Sequence, residues 1–198
     1  MKKEANYATI TEAARYPFKR IKRLFYWLWL IVPVFGIIVY MGYLLKLIGS
    51  VVKETDDEPP EFGKVMPNFY LGLNFLFFFV IYFIIMGILG YLTSFVPFLV
   101  WPVMLFSVYV NLIMPILYTQ LAEKRKLSAG INIIRATKII RYNLKAFIIM
   151  MLKQIALLFI WAFASLPMIT IIFSIPAMLY SANYLFADFY KKAKKPKR

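Results

Sequence analysis

The residues able to do chemistry in this chain are few and unevenly placed. It has no cysteine and no histidine. Disulfides, thiolate nucleophiles and Cys-ligated metals are therefore excluded, and the commonest general base and transition-metal ligand are missing too. Of nine acidic residues, five lie in Glu54, Asp56, Asp57, Glu58 and Glu61. Such a cluster could attract a divalent cation, but it lacks the ligand spacing and turn glycine of a calcium loop. With Pro59 and Pro60 among the like charges, it reads as a solvated loop. Only Lys153 and Asp188 approach the interior of an apolar tract, where an ionisable group is a functional candidate by default. Lys153 lies eight residues after Lys145 and Asp188 lies beside the basic tail, so both read as interfacial, with their heads in water. No nucleophile with an evident base appears. The chain reads as non-enzymatic, with no cofactor and no metal.

The elements that carry these groups are apolar. Hydrophobic residues form 62% of 198 positions and charged residues 17%, against roughly 45–50% and 25% in soluble domains. The charges crowd into short segments and leave long uncharged tracts, the pattern of an all-α integral membrane protein with four to five hydrophobic helical segments. The chain divides into a basic amphipathic N-terminal segment (1–23), a bent hydrophobic segment (24–52), an acidic loop (53–68), a transmembrane hairpin (69–121), a basic amphipathic helix (122–145), a second transmembrane hairpin (146–190) and a basic tail (191–198). The whole is one polytopic domain. The first apolar run is followed by bulky Val32-Pro33-Val34-Phe35, where a cleavable signal would end in small residues, so the N-terminus is expected to be retained.

Local signals refine this outline. Thr9 and Glu12 have capping-box spacing, and the helix they open should stop near Tyr16-Pro17, with Pro17 starting the next. Pro33 and Gly36 mark a break inside the first tract, Thr93 to Pro97 a tight hairpin, Ser165-Leu166-Pro167 a second turn, and Pro176 a further helix break. Ser128 is the expected N-cap of the 122–145 helix. Asn74, Asn111, Gln120, Gln154 and Asn183 are expected to bond between helices, and Gly87 and Gly90 to permit close helix approach. The aromatic residues read as belt or packing groups.

The basic residues suggest both orientation and ligand. Lys19, Arg20, Lys22 and Arg23 stand at the edge of the first tract. Arg135, Lys138, Arg141 and Lys145 alternate with Ile131, Ile134, Ile140 and Leu144, and Lys191 and Lys192 open the tail. Such groups beside apolar spans are expected to contact anionic lipid headgroups, rather than nucleic acid. The positive-inside rule assigns the N-terminal segment, the 122–145 segment and the C-terminus to the cytoplasm. Five full crossings would put one of these outside. A first segment that enters and returns at Pro33–Gly36 removes the conflict, at the cost of exposing turn backbone unless neighbouring helices bury it.

Several short motifs resemble the domain of unknown function 4013 membrane protein family, found largely in archaea. They are Ala14-Arg15-Tyr16-Pro17-Phe18, Gly42-Tyr43-Leu44-Leu45-Lys46, Pro60-Glu61-Phe62 with Gly72, and Leu127-Ser128-Ala129-Gly130. The sequence departs from that pattern at Asn183 to Asp188. The resemblance implies a multi-helix membrane fold and no reaction. The function expected is a non-catalytic scaffold or accessory subunit contacting anionic lipid and other membrane proteins; the alternative is a small transporter, channel or insertase-like protein, suggested by the broken helices.

Overall fold

A computed structural model describes residues 7–55, 58–167 and 170–194. All regular structure among them is helical: α1 (Ile10–Arg15), a 3-10 segment (Tyr16–Ile31), α2 (Phe35–Lys53), α3 (Val65–Phe95), a 3-10 turn (Pro97–Leu99), α4 (Val100–Lys124), α5 (Leu127–Gly130), α6 (Ile133–Tyr142), α7 (Leu144–Ala164) and α8 (Ile171–Ala193). Four helical stretches, Phe35–Lys53, Val65–Phe95, Pro97–Lys124 and Leu144–Ala164, are long and apolar enough to cross a bilayer. The fold is that of an all-α membrane protein.

The first apolar tract doubles back. Thr9 caps α1 with the expected reciprocal pair, Glu12 N–H to Thr9 Oγ1 at 3.1 Å and Thr9 N–H to Glu12 Oε2 at 2.7 Å. Pro17 then sits in the first turn of the 3-10 segment, which is interrupted at Arg20 (φ -144°, ψ 79°). A 3-10 helix rises about 2.0 Å per residue instead of about 1.5 Å, so this limb gains reach from few residues. The chain reverses through Val32-Pro33-Val34 and returns as α2. Backbone donors around the reversal find acceptors within it: Val32 to Trp29, Phe35 to Pro33, and Gly36 to Val32. That local pairing answers the need to satisfy backbone groups away from water. Val34 precedes α2 at φ 59°, ψ -67°, a positive-φ turn conformation costly for a β-branched residue. Gly36 lies inside α2 and is no break. A Cβ there would stand 1.8 Å from Trp29 O, so its role is to let the two limbs touch.

Helix α2 is the axis of the core. It packs chiefly against α3, then α8 and α4, and buries Val39, Tyr40, Tyr43, Leu45, Leu47 and Ile48. The α2–α3 crossing is glycine-mediated: a Cβ on Gly42 would meet Asn68 O at 1.7 Å, and one on Gly72 would meet Ile38 O at 1.8 Å. Helices α4 and α8 supply further core through Ile113, Ile116, Leu121, Tyr180, Phe186 and Phe189, and α7 through Phe147, Met150 and Leu157. Pro176 lies inside a continuous α8. The expected break there does not occur; Ser174, Pro176, Ala177 and Tyr180 are buried along one face, which holds the helix against its neighbours. Pro115 is likewise inside α4, where the Thr119 hydroxyl caps its carbonyl at 2.6 Å.

Helices α3 and α4 continue as an apolar hairpin. At 31 residues α3 is ~46 Å long, and no residue from Phe79 to Tyr109 is buried. Half-buried Tyr82, Met86, Leu89 and Thr93 recur at helical spacing opposite Leu99, Val103 and Ser107, and the Asn111 amide donates to Tyr82 OH at 2.9 Å across the pair. The turn falls at Phe95–Pro97, as expected. Gly87 and Gly90 do not mediate close approach, since a Cβ on either meets nothing within 4 Å; they face outward.

Candidate functional site: the charged end

The charged segments are tied to one another by side-chain links, while the turns at Pro33, Val96 and Leu166 carry exposed apolar residues. Three links join the charged segments. The first is a clamp on the N-terminal segment: Ala8 N–H donates to Asp188 Oδ2 at 2.8 Å, Lys153 Nζ donates to Ala8 O at 2.6 Å, and Lys192 Nζ pairs with Asp188 Oδ1 at 2.6 Å. Neither Lys153 nor Asp188 is simply an interfacial group. Asp188 is 6% exposed, and the two together satisfy one strand of backbone from residues 145 and 180 positions away. Composition could not show this, because the shared partner Ala8 lies 180 and 145 positions away in the chain.

The second link folds Pro59, Pro60 and Phe62 of the acidic loop onto the core, while the Glu54 and Glu61 carboxylates stay exposed to solvent. Arg20 Nε meets Glu58 Oε2 at 2.7 Å; Arg23 reaches Glu58 at 3.4 Å and Glu61 at 3.6 Å. The Arg20 hydrogen bond holds the Glu58 carboxyl below its usual range, and Glu58 correspondingly raises Arg20. Tyr43 OH donates to Pro60 O at 3.0 Å, Lys46 Nζ to Glu61 O at 2.6 Å, and Asn68 Nδ2 to Phe62 O at 2.9 Å. The Phe62 ring stacks on Trp29 at 5.5 Å. Asp56 and Asp57 lie outside the described residues. No group of three or more acidic, His or Cys side chains among the described residues could hold a metal ion.

The third link centres on Glu123, which accepts from Tyr190 OH at 2.7 Å, pairs with Lys194 and lies 3.8 Å from Arg135. Lys191 pairs with Glu54 at 3.3 Å. Thus Arg20, Arg23, Arg135, Lys191 and Lys192 all have carboxylate partners within the chain. Lys22, Lys138, Arg141 and Lys145 are exposed and have no carboxylate within 4 Å among the described residues. Lys19 is exposed as well. The tail beyond Lys194 lies outside the described residues.

The 122–145 segment is divided, not a single helix. Lys126 precedes the one-turn α5, and α6 starts at Ile133, capped by Asn132 Oδ1 accepting from Arg135 N–H at 2.9 Å. Asn132, rather than the expected Ser128, caps it. Helix α6 buries Ala136, Ile139 and Ile140. Its outer face is mixed: Lys138, Arg141 and Lys145 stand beside exposed Ile131, Ile134, Tyr142 and Leu144. Spacing alone suggests an isoleucine face opposite the basic residues; of that face only Ile140 is buried, while Ile131, Ile134 and Leu144 are exposed. Their exposure is the main difference the tertiary structure makes to this segment.

Of the polar residues expected between helices, Asn111 bonds to Tyr82. Gln120, with its amide oriented to suit its neighbours, donates to Ala129 O at 3.0 Å and accepts from Ala136 N–H at 3.2 Å. It thereby fastens α5 and α6 to α4.

No curated protein and no solved structure matches the chain. A family model matches residues 25–173, a range that stops before the departing Asn183 to Asp188 and begins after the Ala14–Phe18 motif. On that match, which covers most of the helical body, the chain belongs to the family described as Protein of unknown function (DUF4013).

Proposed function

We propose that this membrane protein is a non-catalytic accessory or scaffold subunit whose charged end rests against anionic lipid headgroups on the cytoplasmic side. The observation that carries the reading is the outer face of α6, where Lys138, Arg141 and Lys145 stand exposed among Ile131, Ile134, Tyr142 and Leu144. In water, exposed isoleucines gain nothing. At a membrane interface they enter the acyl boundary while the ammonium and guanidinium groups reach the headgroups. Arg20, Arg23, Lys191 and Lys192 serve internal cohesion in this reading, and the lipid-facing role falls to α6 with Lys22.

The natural absence of cysteine allows a direct test. A nitroxide on Ile134→Cys, in full-length protein reconstituted into vesicles of equimolar phosphatidylglycerol and phosphatidylcholine, should report immersion below the headgroups. Lys138→Gln/Arg141→Gln should lift it toward water. A label that stays aqueous in both backgrounds overturns the lipid-facing role. The accessory role is tested by mild-detergent purification from native membranes, where a stoichiometric membrane-protein partner is expected and a lone monomer refutes it.

A further inference from the structure

A second basic feature lies away from α6. Between the start of α3, the end of α4 and the flank of α2 is a pocket of about 440 Å³ lined by Lys46, Lys64, Arg125, Asn68, Asn74 and Tyr70, with no acidic residue among the described residues of its lining. The volume is in the range of small-ligand sites. We propose that this pocket binds a phosphate group. It shares with the proposed function only the premise that this end of the molecule lies in the headgroup layer.

Four observations support the assignment. Lys64 and Arg125 are exposed and have no carboxylate within 4 Å among the described residues, so positive charge accumulates there. Lys64 is the N-cap of the 31-residue α3, which has neither a capping side chain nor an acid in its first turn. The positive end of that helix therefore faces the same region without compensation. Arg125 ends α4 as its left-handed C-cap at φ 53°, with its N–H on Leu121 O at 2.7 Å, and its planar fork suits phosphate oxygens. Finally, Gly63 (φ +68°) brings the loop so close that a Cβ would stand 3.3 Å from Lys46 Nζ, which places the third cation while it donates to Glu61 O and Phe62 O.

The surroundings suit an amphiphile. From the pocket, exposed Met66, Tyr70, Phe77, Ile84 and Tyr91 run down one face of α3, a path for an acyl chain below a headgroup. A phosphate could also arrive on a soluble molecule, and the experiment separates the two sources.

Full-length protein in a neutral detergent would be titrated with dioleoyl phosphatidic acid, dioleoyl phosphatidylcholine or inorganic phosphate, with binding read by native mass spectrometry. Wild type should retain phosphatidic acid in preference to phosphatidylcholine. Lys64→Ala/Arg125→Asn should bind it at least about tenfold more weakly; Asn is chosen because it tolerates the left-handed backbone. Lys64→Arg/Arg125→Lys should keep most of the binding, separating charge from folding. Inorganic phosphate binding that is lost in the first variant, with no added affinity for the lipid, assigns a soluble source and still supports the site. Equal phosphatidic acid binding by wild type and the first variant overturns it, as does loss of binding only in Lys138→Gln/Arg141→Gln. Loss in the pocket variant, with Ile134 remaining aqueous in vesicles, upholds the pocket while refuting the role of α6.

Discussion

Gly42 offers the sharpest test of how this core is held together. Its missing side chain lets α2 approach α3 until a Cβ would lie 1.7 Å from Asn68 O and 2.8 Å from Gly72 N. Contact at about 3.5 Å would require Gly42→Ala to part the helices by roughly 1.8 Å, against backbone atoms that cannot rotate aside. Overpacking of this kind costs about 1–3 kcal/mol or more. The disturbance also reaches Asn68, whose amide holds Phe62 O, and so loosens the loop. For a chain of this length, each kcal/mol moves the melting point by about 2–4 °C, which gives a fall of roughly 5–10 °C. The assay is size-exclusion chromatography of detergent-solubilised protein after graded heating. Gly87→Ala and Gly90→Ala provide internal controls, since a Cβ there meets nothing within 4 Å and replacing a helical glycine gains up to ~1 kcal/mol. If Gly42→Ala melts like wild type, or if Gly87→Ala is equally damaging, the glycine-mediated crossing is not what positions α2.

Asp188→Ala or Lys153→Met should free the N-terminal segment by removing one partner from the Ala8 backbone, at about 1–3 kcal/mol; faster limited proteolysis before Thr9 is the readout, and unchanged cleavage refutes the clamp. Val34→Gly should raise stability by about 1 kcal/mol by relieving the φ 59° backbone, seen as a higher melting temperature, whereas a lower one would mean the valine side chain matters more than the strain. The Glu58 carboxyl is lowered by Arg20, so its contribution is complete above the ordinary glutamate range and is lost as pH falls through the depressed folded value. Emission from Trp29, stacked on Phe62, should shift at acidic pH in wild type and already at neutral pH in Glu58→Gln; a pH response identical in the two proteins would rule out this link.

How much of this could be read from residues alone follows from the range of the interactions involved. The Thr9–Glu12 capping box, the turn at Phe95–Pro97 and the reversal near Pro33 depend on neighbours in the chain, so short motifs revealed them. The apolar tracts were equally plain, because backbone groups removed from water demand helices whatever the tertiary arrangement. Asn132 displaced Ser128 as a cap, and Pro176 failed to end α8, because packing overrode local preference.

Charge was where sequence reasoning reached least far. The sign of each segment was visible, yet nothing local distinguishes Arg23, turned toward Glu58 and Glu61, from Lys138, which faces outward. The same holds for glycine: Gly87 and Gly90 looked like crossing points and are open, while Gly42 and Gly72 are in contact. The sequence by itself determined an all-α membrane protein with basic ends and a broken first tract, since hydropathy and proline geometry act over a few residues. Tertiary structure alone decided which cations are consumed by internal carboxylates and which stay outward. Ion pairing and helix crossing join residues far apart in the chain, and their outcome depends on depth and register that no local pattern encodes.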